Sequence, residues 1–233
     1  MTRQLATDGI APTADERAYF QGVFGWMGVG LAVTGGVSYA IGRSDRALNA
    51  LFTGNGRAVI IAAFVIELLL VWGLVGLVEH MDTFAAATIF LAFAALNGLT
   101  ISVIFAVYTT KSIFSTFLIT AAMFIALAVW GATTGHDLTS WGSFLFMALF
   151  GQIIGVLVNI FWLNSTLYWV TTATGILIFS GYTAYDVQRL KRYERPGEDG
   201  AAAEKAAIVG ALALYLDFIN LFLYLLRIFG RRK

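Results

Sequence analysis

Residues 206–229 read AAIVGALALYLDFINLFLYLLRIF, an apolar run of 24 residues with one acid, Asp217, near its middle. A helix needs about 20 mostly apolar residues to cross a bilayer, whereas a membrane β-strand needs about ten of alternating character. The run is continuous and does not alternate, so it predicts a helix long enough to span. A charged side chain at the bilayer centre costs about 2.5–3.5 kcal/mol on insertion scales. Asp217 must therefore face the bundle interior, hold a proton or have a partner. Helical spacing puts Gly210, Asp217, Asn220 and Tyr224 on one stripe, with leucine and phenylalanine elsewhere.

Six further runs of this kind precede it, near Tyr19–Ile41, Ala58–Val78, Phe84–Tyr108, Ile113–Thr133, Trp141–Trp162 and Leu167–Asp186. The expectation is an all-α membrane protein, a bundle of seven transmembrane helices. Composition agrees. Of 233 residues, 59% are hydrophobic and 12% charged, against about 45–50% and about 25% in a soluble domain. Disorder and an ordinary cytosolic enzyme are both excluded. Net charge is +1, which gives no field to attract nucleic acid; the surroundings are the lipid bilayer. With no cysteine, disulfides and thiolate metal sites are absent. Residues 1–18 form a polar tail without the basic-then-apolar pattern of a signal peptide, and residues 19–233 form one membrane domain. Gly151-x-x-x-Gly155 is a spacing that lets two helices approach.

Connectors are short, the longest being Gln188–Lys205 with Pro196-Gly197 as turn chemistry. Lys and Arg in short loops set orientation. If all seven runs span, the two faces hold seven and eight basic residues. If the last run instead enters and returns, the counts become eleven and four. The second count favours a cytoplasmic amino terminus and a re-entrant last segment, although Ala206–Phe229 is long enough to cross.

Three acids lie within the runs: Glu67, Asp186 and Asp217. Asp186 and Asp217 flank the longest connector on helices that should run antiparallel, so similar depth is geometrically reasonable. Two carboxyls within a few Å tend to share a proton. Such a pair could sense pH and gate a path, or hold Ca²⁺, which is bound by oxygen ligands and takes six to eight of them. Asn220 is a candidate further oxygen. Three plainer readings stand beside this one. Asp186 could be a helix-end residue paired with Arg189, one turn on. Asp217 could clamp a neighbouring helix, and Glu67 could be a protonated packing residue. Asn97, Gln152 and Asn159 read as interhelical hydrogen-bonding groups, and Trp162, Tyr168 and Trp169 as an interface belt. No metalloprotease, nucleophile-elbow or P-loop motif occurs, and His80 and His136 lie outside the spans. The expectation is a protein that is not an enzyme and has no cofactor.

The stretch Gly181-Tyr-Thr-Ala-Tyr-Asp186-Val-Gln-Arg-Leu-Lys191 resembles the sixth-helix signature of the Bax inhibitor-1 family. Ala211-Leu-Ala-Leu-Tyr-Leu-Asp217-Phe-Ile-Asn-Leu-Phe222, with Leu225-Leu-Arg-Ile-Phe-Gly230, resembles its carboxyl-terminal signature. Weaker echoes are Gly98–Ser102 with Ile104-Phe105, and Asp137-Leu138. The resemblance implies a bacterial inner-membrane protein with seven helices, the last central and wrapped by the other six. It implies a pH-sensitive passive Ca²⁺ leak, with Asp186 and Asp217 as sensor and gate; Glu67 fits the family pattern, and Asn220 and Arg189 are candidate supporting residues. It also argues for a last helix that truly spans. Some family members carry an arginine at the end of the second helix that can latch an aspartate; here the stretch is Val78-Glu-His-Met81. The alternative function is a regulator that binds a membrane protease or stress-response partner, with the tail as its handle.

Overall fold

The computed structural model describes residues 14–192 and 200–233. The tail residues 1–13 and the Pro196-Gly197 turn lie outside the described residues. Within them the chain is helical, in the order α1 (Ala14–Gly42), α2 (Asp45–Phe52), α3 (Gly56–Leu77), α4 (Thr83–Ile101), α5 (Ile104–Val107), α6 (Thr110–Thr133), α7 (Trp141–Trp162), α8 (Ser165–Lys191) and α9 (Gly200–Phe229), with a 3₁₀ turn at Val78–His80 between α3 and α4.

Seven of these are long, and six are apolar and long enough to cross a membrane by composition alone. The exception is α8, whose mean hydropathy is lowered by Thr171, Thr172, Thr174, Thr183 and Asp186. In a bilayer each backbone group must be paired internally, and the helix starts show how. Ser44, Asp82, Thr109 and Asn164 each accept from a backbone N–H one turn on, opening α2, α4, α6 and α8.

The third run breaks where the sequence promised one helix. The α4 helix closes at Ile101, where Ser102 Oγ donates to Leu99 O at 2.6 Å, and α5 adds one turn. The first connector also holds structure of its own. In α2, Leu48 and Leu51 turn inward while Asp45, Arg46 and Asn49 face out, an amphipathic pattern at helical spacing.

Half of α9 is buried, including Leu214, Tyr215 and Leu221 at 0% exposure; it is the central helix. Its main neighbours are α1, α8, α6 and α4. The outer helices α3 and α7 pack chiefly on α4 and α8, respectively, and point Trp72, Ile61, Phe144 and Phe161 outward. The wrap of six helices therefore becomes four in contact and two outside. Gly98 and Gly131 let long helices meet backbone to backbone: a Cβ would stand 2.7 Å from Thr34 O at Gly98, and against Ala184 O at Gly131. The Gly151 position touches nothing, and only Gly155 meets a neighbour, Thr171, so the expected small-residue pair is half used.

The α9 helix crosses from one face to the other, which corrects the re-entrant reading. Its start lies by the α3–α4 connector, where Lys205 Nζ donates to Met81 O at 3.1 Å. Its end lies at the opposite end of α4. There Thr109 N donates to Arg231 O and Lys233 N to Val107 O, both at 3.0 Å, and Tyr108 and Arg232 form an antiparallel bridge. Basic residues are then nearly equal on the two faces, so the loop count alone leaves orientation open.

Candidate functional site

Asp186 lies one turn and a half from the end of α8, and Asp217 lies in the middle of α9. The helices run antiparallel, with Gly210 of α9 against Leu190 of α8. That register brings the two acids to one depth, and their carboxyls are in hydrogen-bonding contact. Asp186 is 9% exposed and Asp217 4%. Two carboxyls can hydrogen-bond only through a proton held between them. Oδ2 of Asp217 is buried and has no hydrogen-bond partner.

Tyr182, one turn before Asp186, lies within electrostatic reach of both acids. Sequence reading passed over it, although the 182/186 spacing places both on one face of a helix. Arg189 is solvent-exposed and acts on Asp186 through its charge. It is not in ion-pair contact: among the described residues the one ion pair is Arg192 with Asp137, at 2.8 Å. Asn220 donates back to Leu216 O within α9 at 2.8 Å, so its amide nitrogen serves its own helix. The Val78–Met81 stretch, which holds no arginine, is bound through its backbone by Lys205 Nζ, 3.1 Å from Met81 O.

The two ends of the α8–α9 seam differ. At the carboxyl-terminal end of α8 a pocket of about 340 Å³, the vestibule, is lined by Tyr185, Gln188, Arg189 and Arg192, with Thr139 from the α6–α7 loop. Toward the other end, Phe179, Leu221, Tyr224 and Leu225 form a dry cluster, and the Phe179 ring stacks on Tyr224 at 5.9 Å between centroids. Leu221 is one turn and Tyr224 two turns past Asp217, about 6 and 10 Å along the axis. The vestibule is lined by α8 and the α6–α7 loop and by neither acid, whereas past Asp217 the seam is closed by the apolar plug. Past the plug, Gln152 of α7 donates to Thr171 O at 2.6 Å and to the Tyr224 hydroxyl at 2.7 Å, the interhelical role expected of it. Arg227 lies over the Tyr224 and Tyr168 rings. Asn159, by contrast, accepts from the backbone N–H of Asn164 in the α7–α8 turn.

A clasp fixes the vestibule end of α8. Gln188 Nε2 donates to His136 O and Gln188 Oε1 accepts from Leu138 N, both at 2.8 Å. Arg192 reaches Asp137 Oδ1 at 2.8 Å and Thr139 Oγ1 at 2.6 Å. The hydroxyl and backbone N–H of Thr139, then Arg192, hold the exposed Asp137 carboxyl down at about 2. Leu138, at 1% exposure, seats the loop. The weak Asp137-Leu138 echo is thus the part of the connector that fastens α8.

Glu67 is elsewhere. It is 5% exposed on α3 and bonded to α4: Asn97 Nδ2 donates to Oε2 at 3.0 Å and Thr100 Oγ1 to Oε1 at 2.9 Å. Asn97 also accepts from the Tyr215 hydroxyl at 2.8 Å. The three intramembrane acids therefore form one pair and one separate group.

Comparison with known proteins shows the family. A family model described as "Inhibitor of apoptosis-promoting Bax1" matches residues 16–233. The chain is 44% identical over 237 residues to the inner membrane protein YbhL of Escherichia coli (strain K12), covering 100% of both chains. An uncharacterized protein of Borreliella burgdorferi is 41% identical, over 91% of this chain and 90% of its own. The uncharacterized protein RP147 of Rickettsia prowazekii is 36% identical, over 100% and 98%. With both aspartate-bearing segments inside a match that runs nearly end to end, the chain is a membrane protein of the Bax inhibitor-1 family.

Proposed function

We propose that the protein is a passive, pH-sensitive Ca²⁺ leak of a bacterial inner membrane, with Asp186 and Asp217 as its sensor and gate. The observation that carries this reading is the contact of two buried carboxyls at the seam of α8 and α9. A proton shared between them ties the two helices together. Without it, two like charges face one another in a medium of low dielectric and repel, and the seam beside them is what keeps Phe179 on Tyr224. Protonation thus couples to the plug through a packed contact of two turns.

The donor set suits passage and not storage. Ca²⁺ takes six to eight oxygens, and two carboxylates supply at most four, so an ion crossing the pair is held weakly. The vestibule beside Arg189 and Arg192 is basic, which disfavours a resident cation at the mouth. The amino terminus is placed in the cytoplasm in this reading, on the vestibule side. The alternative, a regulator of a membrane protease or stress-response partner, has its handle in the tail, residues 1–18, of which 1–13 lie outside the described residues.

The test is reconstitution in liposomes loaded with a Ca²⁺-sensitive dye. Asp217→Asn and Asp186→Asn each leave one ionisable carboxyl, so the flux and its pH response should both diminish. Flux with an unaltered pH profile in both variants would remove the leak reading; full flux loss on deleting residues 1–13 alone would move the gate to the tail.

A further inference from the structure

Glu67 lies on a helix that packs on α4 and α2, away from the aspartate pair, and the leak mechanism makes no use of it. From it a file of polar groups runs through three more helices. Glu67 Oε2 is 3.0 Å from the Asn97 amide, Asn97 is 2.8 Å from the Tyr215 hydroxyl, Tyr215 is 2.7 Å from Thr34 Oγ1, and Thr34 is 2.8 Å from Ala94 O. The file begins on α3, passes α4 and α9, and ends between α1 and α4.

Each of these four contacts needs one hydrogen. With Asn97 oriented so that Nδ2 points at Glu67, the amide gives one, Tyr215 gives its hydrogen to Asn97 Oδ1, and Thr34 has a single hydrogen for either Tyr215 or Ala94 O. One of the two Thr34 contacts, at 2.7 Å to Tyr215 or at 2.8 Å to Ala94 O, is then left as two oxygens with no hydrogen between them. An ionised Glu67 can do no better, because a carboxylate only accepts. A protonated Glu67 completes the set. It donates to the Asn97 oxygen, and the amide, whose two ends are alike in shape, turns end for end and donates to Tyr215. Tyr215 then donates to Thr34, and Thr34 to Ala94. All four contacts are filled.

We propose that Glu67 is a second proton-binding site of the bundle, separate from the aspartate pair, and that its proton sets the direction of a hydrogen-bond file ending at the contact of Thr34 with Ala94. Release of the proton reverses the Asn97–Tyr215 step and leaves Thr34 one hydrogen short, between Tyr215 and Ala94 O. The place is sensitive, since Gly98 lets α4 lie so close to α1 that a Cβ would stand 2.7 Å from Thr34 O. A proton taken up on α3 is thereby read between α1 and α4, with Tyr215 of the central helix as the middle step. The groups facing Glu67 are few. The α4 helix contributes Asn97 and Thr100, which are uncharged, and α9 contributes Tyr215. Asp45 and Arg46 of α2 lie in the connector between α1 and α3, and Arg57 is ten residues back along α3, about 15 Å.

The experiment is infrared difference spectroscopy of the full-length protein in lipid nanodiscs during a pH titration, in an Asp186→Asn/Asp217→Asn background. The carbonyl stretch of a hydrogen-bonded, protonated carboxylic acid should remain in that background and vanish when Glu67→Gln is added. Glutamine is neutral and can donate to Asn97 in the same sense, so the thermal midpoint should hold. Tyr215→Phe should shift the band, because it cuts the file behind Asn97. If Glu67→Gln removes no carboxylic-acid band at any pH where the protein is folded, the site is not a proton site. If the band is present but indifferent to Tyr215→Phe, the file does not exist. The same difference between wild type and Glu67→Gln alone covers a background that folds poorly. Because Ca²⁺ flux is not the readout and the aspartates are already replaced, the result is independent of the leak.

Discussion

Tyr215 and Asp217 are two residues apart on α9, about 200° around the helix, and the bundle treats them oppositely. Tyr215 is 0% exposed, and its hydroxyl sits between Thr34 and Asn97 at hydrogen-bonding distance on both sides. Phe90 and Phe93 meet its ring edge-on. Asp217 is nearly as deep, but its Oδ2 has no partner and its hydrogen-bonding contact is with a second acid. A buried polar atom without a hydrogen bond costs about 1–3 kcal/mol. The bundle bears that cost at Asp217, on the α8 side of α9, and avoids it at Tyr215, on the side toward α1 and α4. The satisfied side is built for fit and the unsatisfied side for change.

That contrast breaks most visibly through backbone contact. Gly98→Ala places a methyl against Thr34 O and the Val37 side chain, at 2.7 and 2.8 Å. Backbone cannot swing away, so α1 and α4 must separate, at about 2–3 kcal/mol. On the other side, Gly175→Ala first meets the Tyr224 ring, a side chain and not a helix backbone. Thermal midpoints of the two variants in one detergent should therefore separate, Gly98→Ala being the lower; equal losses would mean that the α1–α4 side is no tighter than the α8–α9 side.

The second largest effect tests the unsatisfied side. Asp217→Asn should lower Ca²⁺ flux in liposomes by about tenfold, the scale of one lost charge contact worth about 1.4 kcal/mol, and flatten its pH response. Stability should hold or rise, because an uncompensated buried carboxyl is removed. A variant that loses both flux and stability would show Asp217 to be a structural clamp.

Tyr215→Phe sharpens the satisfied side. It keeps the ring and its aromatic neighbours and strips hydrogen bonds from Thr34 and Asn97. Interhelical hydrogen bonds in membranes are modest, so a loss of about 1 kcal/mol is expected, read as a lower thermal midpoint, while the pH midpoint of Ca²⁺ flux stays in place.

The sequence made one side of this comparison legible and hid the other. Asp217 and Asp186 stand out because ionisable groups in apolar runs are costly, and their motifs are specific. Tyr215 carries no such signal: a tyrosine among leucines is ordinary, and its partners Thr34 and Asn97 lie on other helices, 181 and 118 residues away. The seven runs were readable because spanning needs length and apolarity, which are local. The α4–α5 break was not, since Ile101-Ser-Val-Ile104 holds neither glycine nor proline and the turn is made by a serine hydroxyl closing on its own helix. The α2 helix left a usable signal in Ser44 followed by leucines at 48 and 51, lost because the residues were read as connector. Gln188 gave none; only the fold shows that its amide holds the α6–α7 loop.

The smallest expected effect is a null, and it decides where pH is sensed. Asp137 lies in the clasp that fastens α8 beside the vestibule, which makes it a competing sensor. Its pKa is depressed to about 2 by Thr139 and Arg192, below the usual value of about 3.9. A carboxyl of this kind adds stability that is present above its ordinary pKa and is lost as pH falls through the depressed value. The clasp is therefore ionised throughout the neutral and mildly acidic range, and it loosens only in strong acid. Asp137→Asn should leave the pH midpoint of Ca²⁺ flux where it is in wild type, although the Arg192 contact weakens. A displaced midpoint in that variant would transfer the sensor from the seam of α8 and α9 to the loop that covers it, and Asp186 and Asp217 would then be gate alone.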